Sequence, residues 1–202
     1  MSFYQFTPSS DINLNQSYVT WSNGFTEEEI DKIREIGDAL TLTPAIIDNG
    51  ETINNIRTSK VGWIKNEGDS SWLYDRLAYI ARRLNSQFFN FDLTGFCEDM
   101  QYTIYDGNEE GHYTWHTDLI SNSNNSFLPP RKLSMVLQLS DPSEYEGGEF
   151  EIWFGSQDKF VTVPREKGDV IIFPAFVMHR VKPIKRGQRK CLVFWTGGRP
   201  FR

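Results

Sequence analysis

The chain has 202 residues, which is enough for one well-buried core and near the usual upper size of a single all-β or α+β domain. Its net charge of −6 argues against a general nucleic-acid binder or a binder of anionic membranes, since both need a surplus of Lys and Arg on one face. Two cysteines, Cys97 and Cys191, are too few for a disulfide framework and fit a reduced compartment, although a single bridge stays open. The N-terminus lacks a charged segment followed by an apolar run, and no apolar run reaches membrane-spanning length. We therefore expect a cytoplasmic protein without a membrane segment.

Two amphipathic helices are predicted in the first half of the chain. Residues 1–24 carry little periodicity, apart from one edge strand expected near residues 18–21. Thr26 and Glu29 form a capping-box pattern that marks the start of a helix, and apolar residues at spacings of three, three and four extend it to about Leu40. A second helix is expected to begin at Ser70 or Ser71, with apolar residues at helical spacing as far as residue 88.

From residue 99 onward the pattern becomes β, with short apolar or alternating runs bounded by turns. Eight strands are predicted, at residues 100–105, around His116, and at 133–139, 148–154, 160–163, 170–173, 176–181 and 191–195. Eight is the number of strands in a jelly roll. We therefore predict an α+β fold: a double-stranded β-helix (jelly roll) core with N-terminal helices packed on one sheet. The chain is expected to be one domain, residues 1–202, with 1–98 as helical support and 99–202 as the jelly-roll core.

A short metal-binding pattern lies within the predicted β region. His116 and Asp118 are separated by one residue, and residues i and i+2 of a strand project from the same face, so both could reach one metal ion. His179, on a later predicted strand, is the natural third ligand. Two imidazoles and one carboxylate occupy one face of an octahedron and leave three positions open, which is the arrangement of non-haem Fe(II) oxygenases.

Two other interpretations of these residues stay open at this point. His112 and His116 stand four apart, as the zinc ligands of a helix would, but Tyr113 occupies the position where a glutamate would be expected. In addition, a His-x-Asp pair arises by chance in many proteins, with its histidine as a hydrogen-bonded structural residue.

Arg189 lies ten residues after His179, at the start of the last predicted strand. A guanidinium binds a carboxylate through two parallel hydrogen bonds, so it is suited to holding a dicarboxylate deep in an apolar pocket. Strand alternation would place it on one face with Cys191, Val193 and Trp195. The alternative is a solvated charge at the strand end, beside Lys185, Arg186 and Lys190.

Further motifs accompany these residues between about Phe25 and Trp195. They are Tyr105-Asp106-Gly107, Gly147-Gly148-Glu149-Phe150, Lys167-Gly168-Asp169, Phe173-Pro174, His179-Arg180-Val181-Lys182-Pro183-Ile184 and Gly187-Gln188-Arg189. Taken with the histidines and the aspartate, they resemble the motifs of Fe(II)/2-oxoglutarate-dependent dioxygenases, specifically the prolyl 4-hydroxylase branch. This resemblance implies that His116, Asp118 and His179 hold Fe(II) and that Arg189 binds the distal carboxylate of 2-oxoglutarate. Some family members have Lys at the position that corresponds to Arg189.

The resemblance also implies roles for residues outside the metal motif. Tyr105 is similar in position to a family tyrosine that hydrogen-bonds the co-substrate, with a plain barrel aromatic as the alternative. Arg57, Ser59, Arg131 and Trp195 match positions that face the peptide in prolyl hydroxylases. As alternatives, the two arginines could be plain surface charges and the tryptophan could simply fill the core.

By this resemblance the chain is expected to use Fe(II), 2-oxoglutarate and O2, with ascorbate as an optional addition, and to release succinate and CO2. The carboxylate of Asp118 favours hydroxylation over halogenation, and the expected target is a proline-containing peptide or protein. The same iron chemistry on a free amino acid, another side chain or a nucleobase stays open, because loops such as residues 44–70 and 119–130 select the substrate. A non-catalytic jelly-roll module that binds sugar or protein is the alternative from another class. The oligomeric state is left open.

Overall fold

The computed structural model describes residues 16–46, 55–119, 129–155 and 159–200, and these are mostly β-strand with two α-helices. The helices are α1 (Glu27–Asp38) and α2 (Ser71–Leu84). The strands are β1 (Val19–Trp21), β2 (Thr43–Pro44), β3 (Arg57–Thr58), β4 (Lys60–Ile64), β5 (Leu93–Phe96), β6 (Met100–Asp106), β7 (His112–His116), β8 (Arg131–Gln138), β9 (Tyr145–Gly147), β10 (Phe150–Trp153), β11 (Phe160–Thr162), β12 (Val170–Pro174), β13 (His179–Val181) and β14 (Ile184–Gly198). The prediction of two N-terminal helices before a β-rich region is confirmed.

Both helices begin close to where the sequence predicts. The hydroxyl of Thr26 accepts a hydrogen bond from the backbone N–H of Glu29 at 3.2 Å, and the Glu29 carboxylate accepts one from the N–H of Thr26 at 3.0 Å. This is the capping box that the pattern indicates. Helix α2 ends at Leu84, earlier than expected, because the chain widens into one π-helical turn at Asn85–Phe89.

The strands form two sheets, and β14 is central to the larger one. The larger sheet has the order β1-β12-β8-β14-β6-β4-β2, with β5 and β9 also paired to β14, and the smaller sheet has the order β11-β10-β13-β7-β3. The eight strands expected after residue 99 are β6, β7, β8, β10, β11, β12, β13 and β14. Successive members alternate between the two sheets, apart from the hairpin of β10 and β11, and this is jelly-roll topology.

The described part of the expected helical support, residues 1–98, also contains five strands, β1 to β5. Strand β1 pairs with β12 at one edge of the larger sheet, as expected, while β4 and β2 extend the other edge beyond β6. Strand β3 pairs with β7 in the smaller sheet. The first half of the chain therefore widens both sheets.

The apolar side chains form two clusters that share the strands of the larger sheet. One cluster joins the buried faces of both helices to that sheet and includes Ile30, Ile33, Leu73, Leu77, Tyr102, Leu133, Leu192 and Phe194. The other draws residues from both sheets and includes Tyr105, Val136, Phe150, Ile152, Phe173, Val181 and Cys191. The candidate site lies at the second cluster. No helix among the described residues has the length and apolar character needed to cross a membrane.

Candidate active site

His116, Asp118 and His179 meet at one point of the second cluster. One potential ligand atom from each residue lies within 4.8 Å of the other two. Nε2 of His116 is 3.8 Å from Oδ1 of Asp118, and Nε2 of His179 is 3.6 Å from Oδ2 of the same carboxylate. Residues 63 positions apart in the sequence thus form one group that could hold a metal ion.

Strand pairing brings the two histidines together. β7 and β13 are neighbours in the smaller sheet, and His116 and His179 are Cα partners in their register. The expectation that Asp118 lies on the same strand as His116 is wrong, because β7 ends at His116. The backbone N–H of Asp118 instead donates to the carbonyl of Ala175 at 2.9 Å, just after β12. This bond fixes the turn that presents the carboxylate to both imidazoles.

The same local hydrogen bond orients both imidazoles. Nδ1 of His116 lies 2.7 Å from the carbonyl oxygen of Thr114, and Nδ1 of His179 lies 2.9 Å from that of Val177. A carbonyl oxygen only accepts, so each Nδ1 carries the proton and each Nε2 keeps a free lone pair. Both lone pairs are therefore available to a cation beside Asp118.

The electrostatics of the group favour metal binding over protonation. Burial and the neighbouring His179 lower the pKa of His116 to about 3, so its imidazole is neutral at neutral pH. Burial raises the pKa of Asp118, but the two imidazoles and a hydrogen bond from the Ser134 hydroxyl lower it to about 2. The result is a neutral imidazole at His116 beside an ionised carboxylate at Asp118, and nitrogen and oxygen donors of this kind suit first-row divalent metals such as Fe(II).

His112 does not take part in this group. Its Nδ1 lies 2.8 Å from the carbonyl oxygen of Glu110, and its segment is a strand rather than a helix. The interpretation of His112 and His116 as helical zinc ligands is therefore wrong.

A cavity of about 390 Å³ opens beside the three residues, between the two sheets. Besides the triad, it is lined by five residues singled out in the sequence: Arg57, Tyr105, Arg131, Arg189 and Trp195. The sixth, Ser59, is not part of the lining, but its hydroxyl accepts a hydrogen bond from Nε of Arg57 at 2.9 Å. The structure thus brings the sequence-predicted site residues to one cavity or, for Ser59, directly behind it.

Arg189 lies in the wall of the cavity and is only 1% exposed, so it is not a solvated charge at a strand end. Its Nη2 donates to Oε1 of Gln138 at 2.9 Å and its Nη1 lies 3.5 Å from Sγ of Cys191. Among the described residues no carboxylate pairs with this guanidinium, and its Nε has no hydrogen-bond partner. Because a buried charge without a counter-ion is unfavourable, the site fits an anionic ligand.

The Tyr105 phenol lies close to this guanidinium. The Cζ atom of Arg189 is 5.6 Å from the centroid of the Tyr105 ring. Burial raises the pKa of Tyr105 to about 12, so its hydroxyl stays protonated and can donate a hydrogen bond. A cation and a phenol donor therefore lie together in the cavity wall.

Two further cations line the cavity, and each lies against an aromatic ring. The guanidinium carbon of Arg131 is 3.7 Å from the centroid of Trp195, and Nε and Nη2 of Arg131 each donate to a carboxylate oxygen of Glu98 at 2.7 Å. Arg57 is only 8% exposed and lies 4.7 Å from the ring centroid of Tyr113. Neither arginine is a plain surface charge.

Three residues of the site were not predicted from the sequence. Ser134 donates a 2.5 Å hydrogen bond to Oδ2 of Asp118, Tyr113 stacks on His116 with ring centroids 3.4 Å apart, and Glu98 holds Arg131. The sequence does contain a signal for Ser134, because it is a polar residue within the apolar run 133–139. Parts of the two loops expected to select the substrate, residues 47–54 and 120–128, lie outside the described residues.

Comparisons with known proteins agree with this geometry. Residues 100–197 match the model of the 2OG-Fe(II) oxygenase superfamily. A PKHD-type hydroxylase of Pseudoalteromonas atlantica is 30% identical over 161 residues, which is 74% of this chain and 68% of that protein. Against other bacterial proteins of that name, from Janthinobacterium and Herminiimonas, the chain spans about 41% of their length.

Solved structures share the fold at low sequence identity. A prolyl-4-hydroxylase of Pseudomonas putida has a TM-score of 0.71 and 18% identity, covering 92% of this chain and 95% of its own. A Trichoplax adhaerens prolyl hydroxylase, solved in complex with a peptide fragment of the hypoxia inducible factor oxygen degradation domain, has a TM-score of 0.70 and 18% identity. That alignment covers 91% of this chain and 84% of the other. Fe(II), 2-oxoglutarate and O2 are the metal and co-substrates of the matched family, and the cavity residues fit them. The chain therefore belongs to the 2OG-Fe(II) oxygenase superfamily, with PKHD-type hydroxylases among its relatives in sequence.

Proposed function

We propose that the chain is an Fe(II)- and 2-oxoglutarate-dependent dioxygenase that hydroxylates peptidyl proline and releases succinate and CO2. One observation carries this proposal. Two imidazoles and a carboxylate converge in the same cavity as a buried arginine that has no carboxylate partner among the described residues. The two imidazoles and the carboxylate suit a metal ion with open coordination positions, and the buried guanidinium suits the distal carboxylate of a diacid.

In this proposal His116, Asp118 and His179 hold Fe(II) on one face of its coordination sphere. The iron and 2-oxoglutarate, when bound, supply the oxidising chemistry of the reaction. The protein orients them and limits access of water. Phe150 and Phe173 pack against the His179 ring, with centroids 5.6 and 4.6 Å away, and so give the metal end of the cavity an apolar wall.

Arg189 binds the distal carboxylate of 2-oxoglutarate in this scheme, and Tyr105 donates a hydrogen bond to the same co-substrate. Both side chains are buried, at 1% and 4% exposure, so little water competes for their donors. The phenol remains a donor at neutral pH because burial raises its pKa to about 12.

The peptide is proposed to enter between Arg57 on one side and Arg131 with Trp195 on the other. Ser59 supports Arg57 from behind. A tryptophan face suits the flat pyrrolidine ring of proline, and guanidinium donors suit peptide carbonyl oxygens. The half-exposed side chains Ile46, Trp63 and Leu119 also line the cavity and would add apolar contacts to a bound peptide. The prolyl hydroxylases of the same fold, one of them with a bound peptide, support this choice of substrate class.

The test is a screen of proline-containing peptides with Fe(II), 2-oxoglutarate and ascorbate as a reductant. We expect succinate release coupled to a mass shift of about 16 on a proline residue, since one oxygen atom is added. Asp118→Ala should abolish both signals, whereas Asp92→Ala, which removes an exposed carboxylate paired with Arg199, should leave them unchanged.

Other outcomes would reject parts of the proposal. Unchanged turnover in Asp118→Ala would reject the proposed metal ligands. A mass shift on another residue type, or on a free amino acid, would keep the iron chemistry and reject peptidyl proline. Failure of the protein to bind Fe(II) or Mn(II) would favour a non-catalytic binding module.

A further inference from the structure

Arg57 is a buried cation that faces the cavity from the smaller sheet. It begins β3, where it is the register partner of Tyr113, and only 8% of its surface is exposed. Its Nε donates to the hydroxyl of Ser59 at 2.9 Å, and its guanidinium carbon lies 4.7 Å from the centroid of the Tyr113 ring. These two contacts fix the direction of the guanidinium, which is one of the groups that line the cavity.

No neighbouring acid balances the charge of Arg57. Among the described residues, no carboxylate oxygen lies within 4.0 Å of its nitrogen atoms, and Nη1 and Nη2 have no hydrogen-bond partner. The face of the Tyr113 ring attracts a cation but carries no counter-charge. Because a buried charge without a counter-ion is unfavourable, the position suits an anion that the described residues do not supply.

The other charged side chains of the cavity are balanced once the metal and co-substrate of the proposed function are included. The described lining holds two more cations, Arg131 and Arg189, and two carboxylates, Glu98 and Asp118. Arg131 and Glu98 form an ion pair. Asp118 and the two carboxylates of 2-oxoglutarate carry three negative charges, while Fe(II) and Arg189 carry three positive ones. Arg57 is then the charged side chain of the described lining that is left without a counterpart.

The unbalanced guanidinium lies close to the proposed reaction centre. The Tyr113 ring that it contacts stacks on the ring of His116, with centroids 3.4 Å apart. Burial raises the pKa of Tyr105 to about 12, and the positive charges of Arg57 and Arg189 both oppose this rise. One aromatic ring therefore separates Arg57 from a proposed metal ligand, and its charge reaches the same phenol as the charge of Arg189.

We propose that Arg57 binds a carboxylate of the substrate, so that the enzyme selects prolyl substrates with an acidic group next to the proline. The carboxylate has two possible sources: an acidic side chain beside the proline in a peptide, or the α-carboxylate of a proline at the end of a chain. A carboxylate accepts hydrogen bonds from both Nη groups and also supplies the missing negative charge, whereas a neutral carbonyl supplies only an acceptor. This inference rests on the proposed function and names the class of its substrate.

The first experiment compares probes that differ only in charge, using protein loaded with Zn(II) and saturated with 2-oxoglutarate. Zinc has no redox chemistry, so binding is measured without turnover. One pair of blocked peptides carries glutamate or glutamine directly after proline, a second pair carries them directly before it, and the third pair is N-acetylproline and its amide. Titration calorimetry gives each Kd. We expect at least one acidic probe to bind about tenfold more tightly than its amide, since hydrogen bonds between charged groups are roughly twice as strong as neutral ones.

Substitutions of Arg57 test whether this residue causes the preference. Arg57→Gln should reduce the preference to less than about twofold, whereas Arg57→Lys should keep part of it, because lysine keeps the charge but loses the paired donors. All variants should still bind 2-oxoglutarate, which shows that the cavity is intact.

Lys60→Met is the matched control. Lys60 lies three residues beyond Arg57, and its ammonium group pairs with Glu109 and is not part of the cavity lining. This substitution changes the net charge by the same amount as Arg57→Gln. It should leave the preference for acidic probes unchanged.

The second experiment needs no peptide and uses acetate as the probe, at constant ionic strength. Thermal unfolding is followed in Zn(II)-loaded protein with saturating 2-oxoglutarate, so that Arg189 is already occupied. A ligand that binds only the folded protein raises its Tm. Acetate should therefore raise the Tm of the wild type in a saturable manner, and uncharged acetamide should not. Arg57→Gln should lose the effect of acetate, and Lys60→Met should keep it.

The results also identify the source of the carboxylate. Tighter binding of a glutamate peptide assigns it to a neighbouring side chain, and tighter binding of N-acetylproline alone assigns it to a chain end. The inference is overturned if no acidic probe is preferred and acetate has no effect that depends on Arg57. A preference for acidic probes that persists in Arg57→Gln would overturn it as well.

Failure of the proposed function would look different. If metal-loaded wild-type protein does not bind 2-oxoglutarate, the proposed function itself fails. Hydroxylation of neutral proline peptides as efficiently as of their acidic counterparts would support the proposed function and reject the selection of acidic substrates by Arg57.

Discussion

The hydroxyl of Ser134 donates a 2.5 Å hydrogen bond to Oδ2 of Asp118, the carboxylate oxygen that lies 3.6 Å from Nε2 of His179. Ser134 belongs to the larger sheet, while both histidines belong to the smaller one. The carboxylate is therefore held by side chains of both layers. Residues that orient metal ligands in this way commonly change metal affinity when they are removed.

Ser134→Ala is predicted to weaken Mn(II) binding by about 10- to 100-fold, because Asp118 loses the bond that fixes its orientation. Titration calorimetry or the electron paramagnetic resonance of free Mn(II) measures this directly. Ser140→Ala is a matched control, since Ser140 is also buried but bonds the backbone of Gln188 and of Lys190. Equal Mn(II) affinities in wild type and Ser134→Ala would contradict a role in orienting the ligand.

Arg131→Lys is predicted to raise the KM for a peptide substrate by roughly tenfold, although the positive charge is kept. A lysine can neither bind Glu98 through two parallel bonds nor stack flat on Trp195. Steady-state kinetics at saturating 2-oxoglutarate would measure the effect. The Kd of 2-oxoglutarate is the internal control, and a parallel rise in that Kd would show that the variant disturbs the whole cavity.

The stability of the metal-free protein is predicted to fall as the pH falls below about 6.5. Burial and the neighbouring His179 lower the pKa of His116 from 6.5 in the unfolded chain to about 3. Between these values the unfolded chain binds more protons than the folded chain, so the free energy of unfolding rises with pH there. One such group contributes up to about 1.4 kcal/mol per pH unit.

Thermal unfolding between pH 4.5 and 7 tests this dependence. The Tm of the wild type should drop at the acid end, and His116→Gln, which cannot titrate, should show a shallower drop. Identical slopes for the two proteins would mean that His116 does not contribute. Added Zn(II) should raise the Tm most at the upper end of the range, where protons compete least for the imidazoles.

Gly37→Ala is predicted to destabilise the fold although it lies within α1. Alanine is favoured over glycine in a helix by about 1 kcal/mol. However, a Cβ atom at this position would lie 2.4 Å from two ring carbons of Tyr102. That ring cannot yield easily, since it is fully buried and its hydroxyl bonds Asp38 at 2.7 Å. Overpacking costs about 1–3 kcal/mol, and a contact this short places the cost in the upper part of that range, so after the gain from alanine we expect a net loss of about 1–2 kcal/mol.

Urea denaturation measures this loss as a lower midpoint at unchanged slope. Glu35→Ala, on the exposed side of the same helix, should change the stability by less than about 0.5 kcal/mol. Stability equal to or above that of the wild type in Gly37→Ala would mean that α1 can move away from the sheet.

The β-rich core was largely predictable because strand alternation is a strong local signal. Cys191, Val193 and Trp195 line the cavity, while Leu192 and Phe194 enter the other cluster, as alternation requires. Strand limits were less predictable, since pairing partners decide them. The last strand extends back to Ile184 because β9 pairs with its first part, and β13 begins only at His179.

The metal triad and Arg189 were predictable as residues, but their supporting partners were not. Glu98 bonds a residue 33 positions away, and a sequence without its fold gives no reason to pair the two. Ser134 and Gln138 are polar positions four apart on a buried strand, a pattern that gains meaning only once Asp118 and Arg189 are known to face them. Distances through space were the missing information.

Strand β14 carries both Arg189 and Trp195, six residues apart, in one uninterrupted hydrogen-bonded segment. About 20 Å of rigid backbone therefore separates their Cα positions. The ladders to β6 and β8 prevent this segment from stretching or sliding without breaking many bonds at once. In the proposed function, the surface loops can therefore change to accept new peptides while the distance between the co-substrate end and the peptide end of the cavity stays constant.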